Sequence, residues 1–291
     1  MSVNLTKKID TAKKTIAQNI GFLRCPICRT LFGFENLKYS LSCQNGHTYD
    51  ISKKGYVNLF NGYTKVAQTY GKDLFIARKT VSDAGLYDKL LGSLYADLPP
   101  GAVLDAGCGC GNLTAGIFEN TGRPPTFALD LSKDGIGMAA SGFCGEGLLW
   151  IVGNINDLPL QSGKFGVILN ILSPANYSEF IRVLKPGGVL VKVLPDSDYL
   201  KELRRFIYGE SDKNEYSNGE VMANLEKNMP IAKITDVKYT HTVKSEHIPA
   251  LFDMTPLTQN IPEREKKKKD LSAKGDLELT LAFKIAVCEK Y

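Results

Sequence analysis

The chain of 291 residues has no apolar run approaching the roughly 18 residues that span a bilayer, which excludes a membrane-spanning helix. Its first residues carry Lys7, Lys8, Lys13 and Lys14 but no apolar core followed by a small-residue cleavage site, so no secretory signal is expected. Internal repeats and low-complexity tracts are absent as well, which sets repeat architectures aside. Histidine is scarce at 3 residues, and the 7 cysteines are an odd number, so any disulfide scheme leaves one unpaired. That pattern fits a reducing compartment, and a cytoplasmic protein is expected. With 43% apolar and 23% charged residues the composition is globular, with side chains enough for a sizeable core. The net charge of +5 permits a polyanionic partner without requiring one.

The scarce residues are not scattered. Cys25, Cys28, Cys43 and His47 all fall in FLRCPICRTLFGFENLKYSLSCQNGHTYD, residues 22–50. A C-x2-C pair followed by C-x3-H closes a tetrahedral zinc site, and four protein ligands leave no open position for water or substrate. One structural zinc per chain is therefore expected. Pro26 stiffens the first turn, and Gly46 permits the turn that aims His47 back at the metal. Three segments follow from this: a leader over 1–21, a zinc-binding domain over 22–62, and a larger domain over 63–291. The leader is helical if Ile9, Ala12, Ile16 and Ile20 share a face; a flexible leader is the alternative. The zinc domain has only Leu31, Phe32, Phe34, Leu41, Tyr49, Val57 and Leu59 for a core, so metal coordination must supply folding free energy. Arg24, Arg29, Lys38, Lys53 and Lys54 beside Phe32, Phe34 and Tyr39 also suit contact with a polyanionic partner, unless those aromatics serve as core.

After a polar segment over 64–71, expected to be mobile, two helices are predicted at 72–83 and 86–97, the second ended by Pro99 and Pro100. Strands and helices then alternate: AVLDAG, PTFALDLS, LLWIVGN, GKFGVILNILSP and VLVKVLP are strands, with NLTAGIFEN, KDGIGMAASGF and 176–184 helical between them. This pace predicts an α/β fold, a Rossmann-like, doubly wound and mostly parallel sheet. Residues 233–244 and DLELTLAFKIAVCE bring the count to seven strands, the last placed as one antiparallel edge strand. Helices are predicted at 198–209 and 246–254, and REKKKKD at 264–270 as a solvated turn or loop, open to phosphate contact.

VLDAGCGCGNLT places Asp105 at a strand end and Gly107, Gly109 and Gly111 in the turn before a helix. The spacing is G-x-G-x-G, not the G-x-G-x-x-G of dinucleotide sites, which counts against a dehydrogenase. A carboxylate before the loop repels pyrophosphate and suits an ammonium or sulfonium, and S-adenosylmethionine carries both. Asp130 closes the second strand, where it can accept from a ribose diol; Asn154 closes the third, where its amide can meet an adenine edge between Leu131 and Ile155.

The central part resembles a class I, Rossmann-like S-adenosylmethionine-dependent methyltransferase. From Cys25 almost to its carboxyl end the chain resembles the 23S ribosomal RNA guanine-N1 methyltransferases. Beyond the knuckle and the glycine loop, the resemblance rests on Asp50, Lys54-Gly55-Tyr56-Val57-Asn58-Leu59, Gly85-x-Tyr87, Leu129-Asp130-x-Ser132-Lys133, Leu158-Pro159, Ser173-Pro174-Ala175-Asn176-Tyr177 and Met254-Thr255-Pro256. Ser-Pro-Ala-Asn-Tyr resembles the Gram-positive branch that methylates guanine 748 of the RNA rather than guanine 745. The resemblance implies a 23S rRNA hairpin as partner and a homodimer whose clefts share it. Two departures stand out: Cys110 replaces the family's glutamate, and Asn154 its acidic residue. Removing the guanine N1 proton calls for a general base. Asp157, Asn170 and Tyr177 lie near the donor, and none has a deciding context. A methyltransferase acting on a small molecule and a non-catalytic RNA-binding protein with a degenerate fold are the rival readings.

Overall fold

A computed structural model describes residues 5–33, 38–62, 71–95, 98–122, 124–209 and 216–290. The segment over 64–71, all but Gly71, and the aromatic Phe34 lie outside the described residues. The chain opens with a helix, Leu5–Asn19, whose Ala12, Thr15 and Ile16 are buried while Ile9 packs beside them. Three short strands, β1 (Phe32–Gly33), β2 (Ser40–Cys43) and β3 (Thr48–Asp50), form an antiparallel sheet of their own. The main sheet takes β4 (Tyr56–Asn58), β5 (Val103–Ala106), β6 (Thr126–Asp130), β7 (Leu148–Val152), β8 (Phe165–Ile171), β9 (Leu184–Pro195), β10 (Ile231–Val243) and β11 (Leu277–Glu289).

Their order is β10-β11-β9-β8-β5-β6-β7-β4. From β5 the chain winds outward through β6 and β7, then returns to add β8 and β9 on the other side, every one of these pairings parallel. The direction of winding reverses at β5, and the crevice beyond the carboxyl ends of strands at such a point is where ligands bind. Buried on both faces, β5, β7 and β8 carry near-continuous apolar side chains, as sandwiched parallel strands do.

Three expectations need correction. The main sheet has eight strands, not seven, because Tyr56–Asn58 pairs in parallel with β7. A three-residue strand shows no period in the sequence; its partner, not its pattern, makes it a strand. DLELTLAFKIAVCE is antiparallel but not at the edge, for β11 lies between β9 and β10. Its Leu279, Leu281, Phe283 and Ile285 are buried, whereas β10 turns Lys233, Asp236 and Lys238 to solvent, as an edge strand must. Finally, the basic run is not a loop but lies in a helix, Arg264–Ser272. Arg264 and Lys268, one turn apart, both pair with Asp253, Lys267 donates to the Ile207 carbonyl at 2.9 Å, and Leu271 is buried.

The small sheet does not hang on a linker. Leu23 bridges to Leu160, the Arg24 amide donates to the Pro159 carbonyl at 3.1 Å, and the Gln161 amide donates to Phe22 at 2.8 Å. The Phe22 ring stacks on Phe127 at 4.9 Å and meets Phe165 edge-on at 5.4 Å. Leu23, Leu41, Val57 and Leu59 share one apolar cluster with Leu104, Phe127, Leu149 and Ile151 of the large domain, while Leu31, expected inside, is 49% exposed. Among the described residues no helix is long and apolar enough to cross a membrane.

Candidate active site and metal centre

The four metal-ligating side chains converge on two tight turns. The Cys25 amide donates to the Thr30 carbonyl at 2.9 Å, with Arg29 in a left-handed conformation (φ 65°) between them. The Cys43 amide donates to the His47 carbonyl at 3.0 Å across Gly46, whose φ of 79° suits glycine. Cys25, Cys28, Cys43 and His47 therefore bring their ligand atoms within 4.8 Å of one another. The Cys43 sulfur lies 3.3 Å and the Cys25 sulfur 3.6 Å from His47 Nδ1, and the Cys28 and Cys43 sulfurs are 3.5 Å apart. Three sulfurs and one imidazole at these separations fit a tetrahedral zinc. The Thr30 hydroxyl, 3.1 Å from the Cys28 sulfur, pulls that thiol down to about 5, toward the thiolate a metal binds.

This centre is clamped to the large domain. Arg29 grips both oxygens of Asp157, at 2.6 and 2.7 Å, and Arg24 lies 3.6 Å from Asp157 and from Glu179. Glu179 in turn holds Arg182 at 2.7 Å and the Leu158 amide at 2.7 Å. Asp157, a candidate base from sequence, is thus engaged as a clamp and does not line the cavity described next. Two arginines occupy its carboxylate.

At the carboxyl ends of β5, β6 and β7 opens a cavity of about 790 Å³. Asp105, Gly107, Gly109, Gly111, Asp130, Leu131, Asn154 and Ile155 all line it. The glycine turn is compelled by crowding. A Cβ on Gly107, at φ 93°, would lie 1.9 Å from the Ser173 hydroxyl, and one on Gly111, at φ 81°, 2.5 Å from the Trp150 ring. Asp130 shapes the turn from outside, its two oxygens accepting from the amides of Gly109 at 2.9 Å and Ser132 at 2.8 Å. Asp105 is 2% exposed; one oxygen accepts from the Thr114 hydroxyl at 2.5 Å, and the other, Oδ1, has no partner. Burial pushes its carboxyl up to about 7, despite Thr114, and Asp130 adds to the rise. An orphaned acceptor beside a cradle without Cβ atoms fits a ligand that brings positive charge. Asn154 spends its Oδ1 on the Asn156 amide at 2.9 Å, a local turn that holds it at the rim.

The other two candidates separate. Tyr177 lines the cavity and packs edge-on against Phe180 at 6.4 Å, and burial raises its phenol. Asn170, 0% exposed, lies behind the wall: its amide donates to the carbonyls of Ala106 at 2.7 Å and Pro174 at 2.9 Å. It braces the end of β5 against the Ser173–Tyr177 loop.

Several lining residues were not legible as such. Phe75 and Arg78 come from the helix Lys72–Asp83, and the hydroxyls of Tyr87 and Tyr199 meet at 3.2 Å near Met254. Lys192 projects from the middle of β9. A lone lysine in VLVKVLP, a strand otherwise apolar, was the available signal, since a charge in a doubly covered strand needs a reason.

Comparison with known proteins agrees with this geometry. Residues 23–66 match the zinc-ribbon family described as "RlmA, N-terminal", and 103–188 match "Methyltransferase domain". Over 282 residues the chain is 34% identical to the Bacillus subtilis (strain 168) protein named "Putative 23S rRNA (guanine-N(1)-)-methyltransferase YxjB", covering 91% of this chain and 98% of the relative. The chain belongs to the 23S rRNA (guanine-N1) methyltransferase family. A Streptomyces fradiae relative of this family, named "23S rRNA (guanine(748)-N(1))-methyltransferase", is 28% identical over 277 residues, covering 92% of this chain and 97% of the relative. This family member is a class I, S-adenosylmethionine-dependent methyltransferase with an amino-terminal zinc ribbon. Its Cys110, where the resemblance leads one to expect glutamate, is buried against Leu74 and Phe75. A carboxylate in that apolar contact would need a partner that a thiol does not.

Proposed function

We propose that this methyltransferase transfers a methyl group from S-adenosylmethionine to N1 of guanine 748 in a 23S rRNA hairpin. The observation that carries the reading is the clamp between the zinc ribbon and the cavity rim: Arg29 on Asp157 fixes the ribbon three residues from Asn154, on the loop that borders the cavity. A basic, rigid platform at that distance suits an RNA whose target base enters the cavity while its phosphates rest outside. The relative from Streptomyces fradiae, whose name specifies guanine 748, supports the choice of base.

The bound donor supplies an electrophilic methyl group. Asp105 Oδ1 takes the cationic end of the donor, Asp130 the ribose hydroxyls, and Asn154, Leu131 and Ile155 the adenine. Tyr177 and Pro174 flank the acceptor base and hold it in line with the methyl, and alignment in a closed site is the main source of rate. Two copies share one hairpin between paired clefts, which sedimentation with and without the transcript would test. The central test is incubation with labelled donor and a transcript of the hairpin, followed by mapping of the methyl. Label at N1 of guanine 748 is expected; label at guanine 745 overturns the choice of base, and label on any other atom overturns the reaction.

A further inference from the structure

Among the described residues Lys192 is the one cavity-lining amine, and its setting is unusual. It is 2% exposed, and its Nζ donates to the Asn170 side-chain oxygen and, at 2.5 Å, to the Ser173 carbonyl. No carboxylate pairs with it among the described residues. Its neighbours are neutral: Asn170 on β8, Ala286 opposite it on β11, and the Ser173 carbonyl. The charged groups of the cavity wall are Asp105 and Asp130 at the glycine turn, with Arg78 and Arg204 farther round.

Two carbonyl acceptors can hold the nitrogen both as amine and as ammonium. An NH2 group has two N–H bonds and one lone pair. With both N–H bonds spent on Asn170 and Ser173, the lone pair takes the remaining tetrahedral direction. The same two partners tie the amine to the donor loop: Asn170 also holds the Ala106 carbonyl at 2.7 Å, and the Ser173 hydroxyl fills the space where Gly107 lacks a side chain. The candidates from sequence leave the role open, since Asp157 is clamped by arginines, Asn170 is an amide, and burial raises the Tyr177 phenol away from its basic form.

We propose that Lys192, as the neutral amine, is the general base that takes the N1 proton of the acceptor guanine; this rests on the function proposed above. The amine lone pair accepts the proton, and the N1 electron pair forms the bond to the methyl carbon as the carbon–sulfur bond breaks. Sulfur keeps that bond's electrons and becomes a neutral thioether. Lys192 ends as an ammonium held by Asn170 and Ser173, and loses its proton to solvent before the next turnover. Burial supports the assignment by bringing the amine down to about 8, within the range in which a lysine works as a base near neutrality.

Single-turnover methylation of the hairpin by the full chain tests this, comparing wild type with Lys192→Arg and Lys192→Met. The arginine retains donors for Asn170 and Ser173 but cannot give up its proton. Both variants are expected to keep donor binding by calorimetry and to lose on the order of 100-fold or more in rate. The wild-type rate is expected to climb with pH and level near 8, and the variants' rates to keep climbing as guanine itself ionises. A transcript with 6-thioguanine, whose N1 is more acidic, is expected to shrink the deficit. A Lys192→Arg rate within threefold of wild type, or a deficit unchanged by pH and by the acidic base, overturns the proposal. If the variants do not fold, competitive amine labelling of wild-type Lys192 decides instead: titration near 8 supports the base, and titration at about 10.4, the ordinary value, overturns it. If wild type itself places the methyl elsewhere than guanine N1, the underlying reading has failed rather than the base.

Discussion

Between residues 22 and 59 the chain gathers three thiols and an imidazole around one point, and its few apolar side chains lean on another domain for cover. Between 103 and 195 it contributes buried, apolar strands that cover one another and need no metal to stay closed. Each region gathers a site, one whose thiols and imidazole suit a zinc ion and one whose buried carboxyl suits the cationic cofactor proposed above. The difference lies in what each site needs to exist. The ribbon tip gathers four metal-ligating side chains and is tied down by the clamp, whereas the glycine turn is hemmed in by Ser173, Trp150 and Asp130. Two routes to order in one chain should respond differently to injury.

The largest expected effect follows loss of a metal ligand. Cys25→Ser should release zinc and lower RNA methylation by about 100-fold or more, while donor affinity stays within about threefold, because metal binding supplies folding energy only locally. Calorimetry with the donor analogue, beside a methylation assay, measures both; parallel loss of donor binding would break the comparison. Next comes the opposite injury. Asp105→Asn should cost about 2–5 kcal/mol of donor binding, as expected for removing one member of a buried charge pair, and leave zinc content intact.

The raised carboxyl of Asp105 adds a pH dependence to the same site. With its value near 7, the group is increasingly protonated as pH falls below 7, and that proton must leave before the carboxylate can meet a cation. Wild-type donor affinity should therefore fall by up to about tenfold per pH unit below 7, with up to one proton released per donor bound there, and be flat above 7 with none released. Affinity unchanged from pH 5 to 8 would remove Asp105 from the role.

Smaller effects probe the seam between the regions. Phe22→Ala removes a ring stacked on Phe127 and edge-on to Phe165 and should cost about 2–3 kcal/mol of stability, since the site is only partly buried. Its melting midpoint should fall, because Phe22 packs against the apolar cluster that the base of the ribbon shares with the sheet. Asp157→Ala frees Arg29 in a half-exposed pair and should cost less than about 1 kcal/mol. Donor affinity should be unchanged there, while the Michaelis constant for the hairpin rises through a looser ribbon.

Much of the site was legible because its chemistry is local. Cys25, Cys28, Cys43 and His47 announce a metal by spacing, and Asp105 with its three glycines announces a turn by conformational need. Lys192 was missed because a strand conceals which neighbours its side chains will meet. β4 escaped because three residues carry no period, and the order of β11 and β10 because adjacency among strands distant in sequence leaves no mark in either. The helix Arg264–Ser272 went unrecognised for a related reason: Asp253, eleven residues before Arg264, and the Ile207 carbonyl turn a run of charges into an anchored face.

The sequence by itself determined the donor set for zinc, the glycine turn with its acid, and the alternation of strands and helices, since each depends on bonds and dihedrals within a few residues. Tertiary structure alone decided that the ribbon is stapled to the sheet, that Asp157 is a clamp, and that a lysine of β9 faces the cavity. Those outcomes depend on which surfaces meet, and a surface acquires its partner only when distant parts of the chain come together to exclude water.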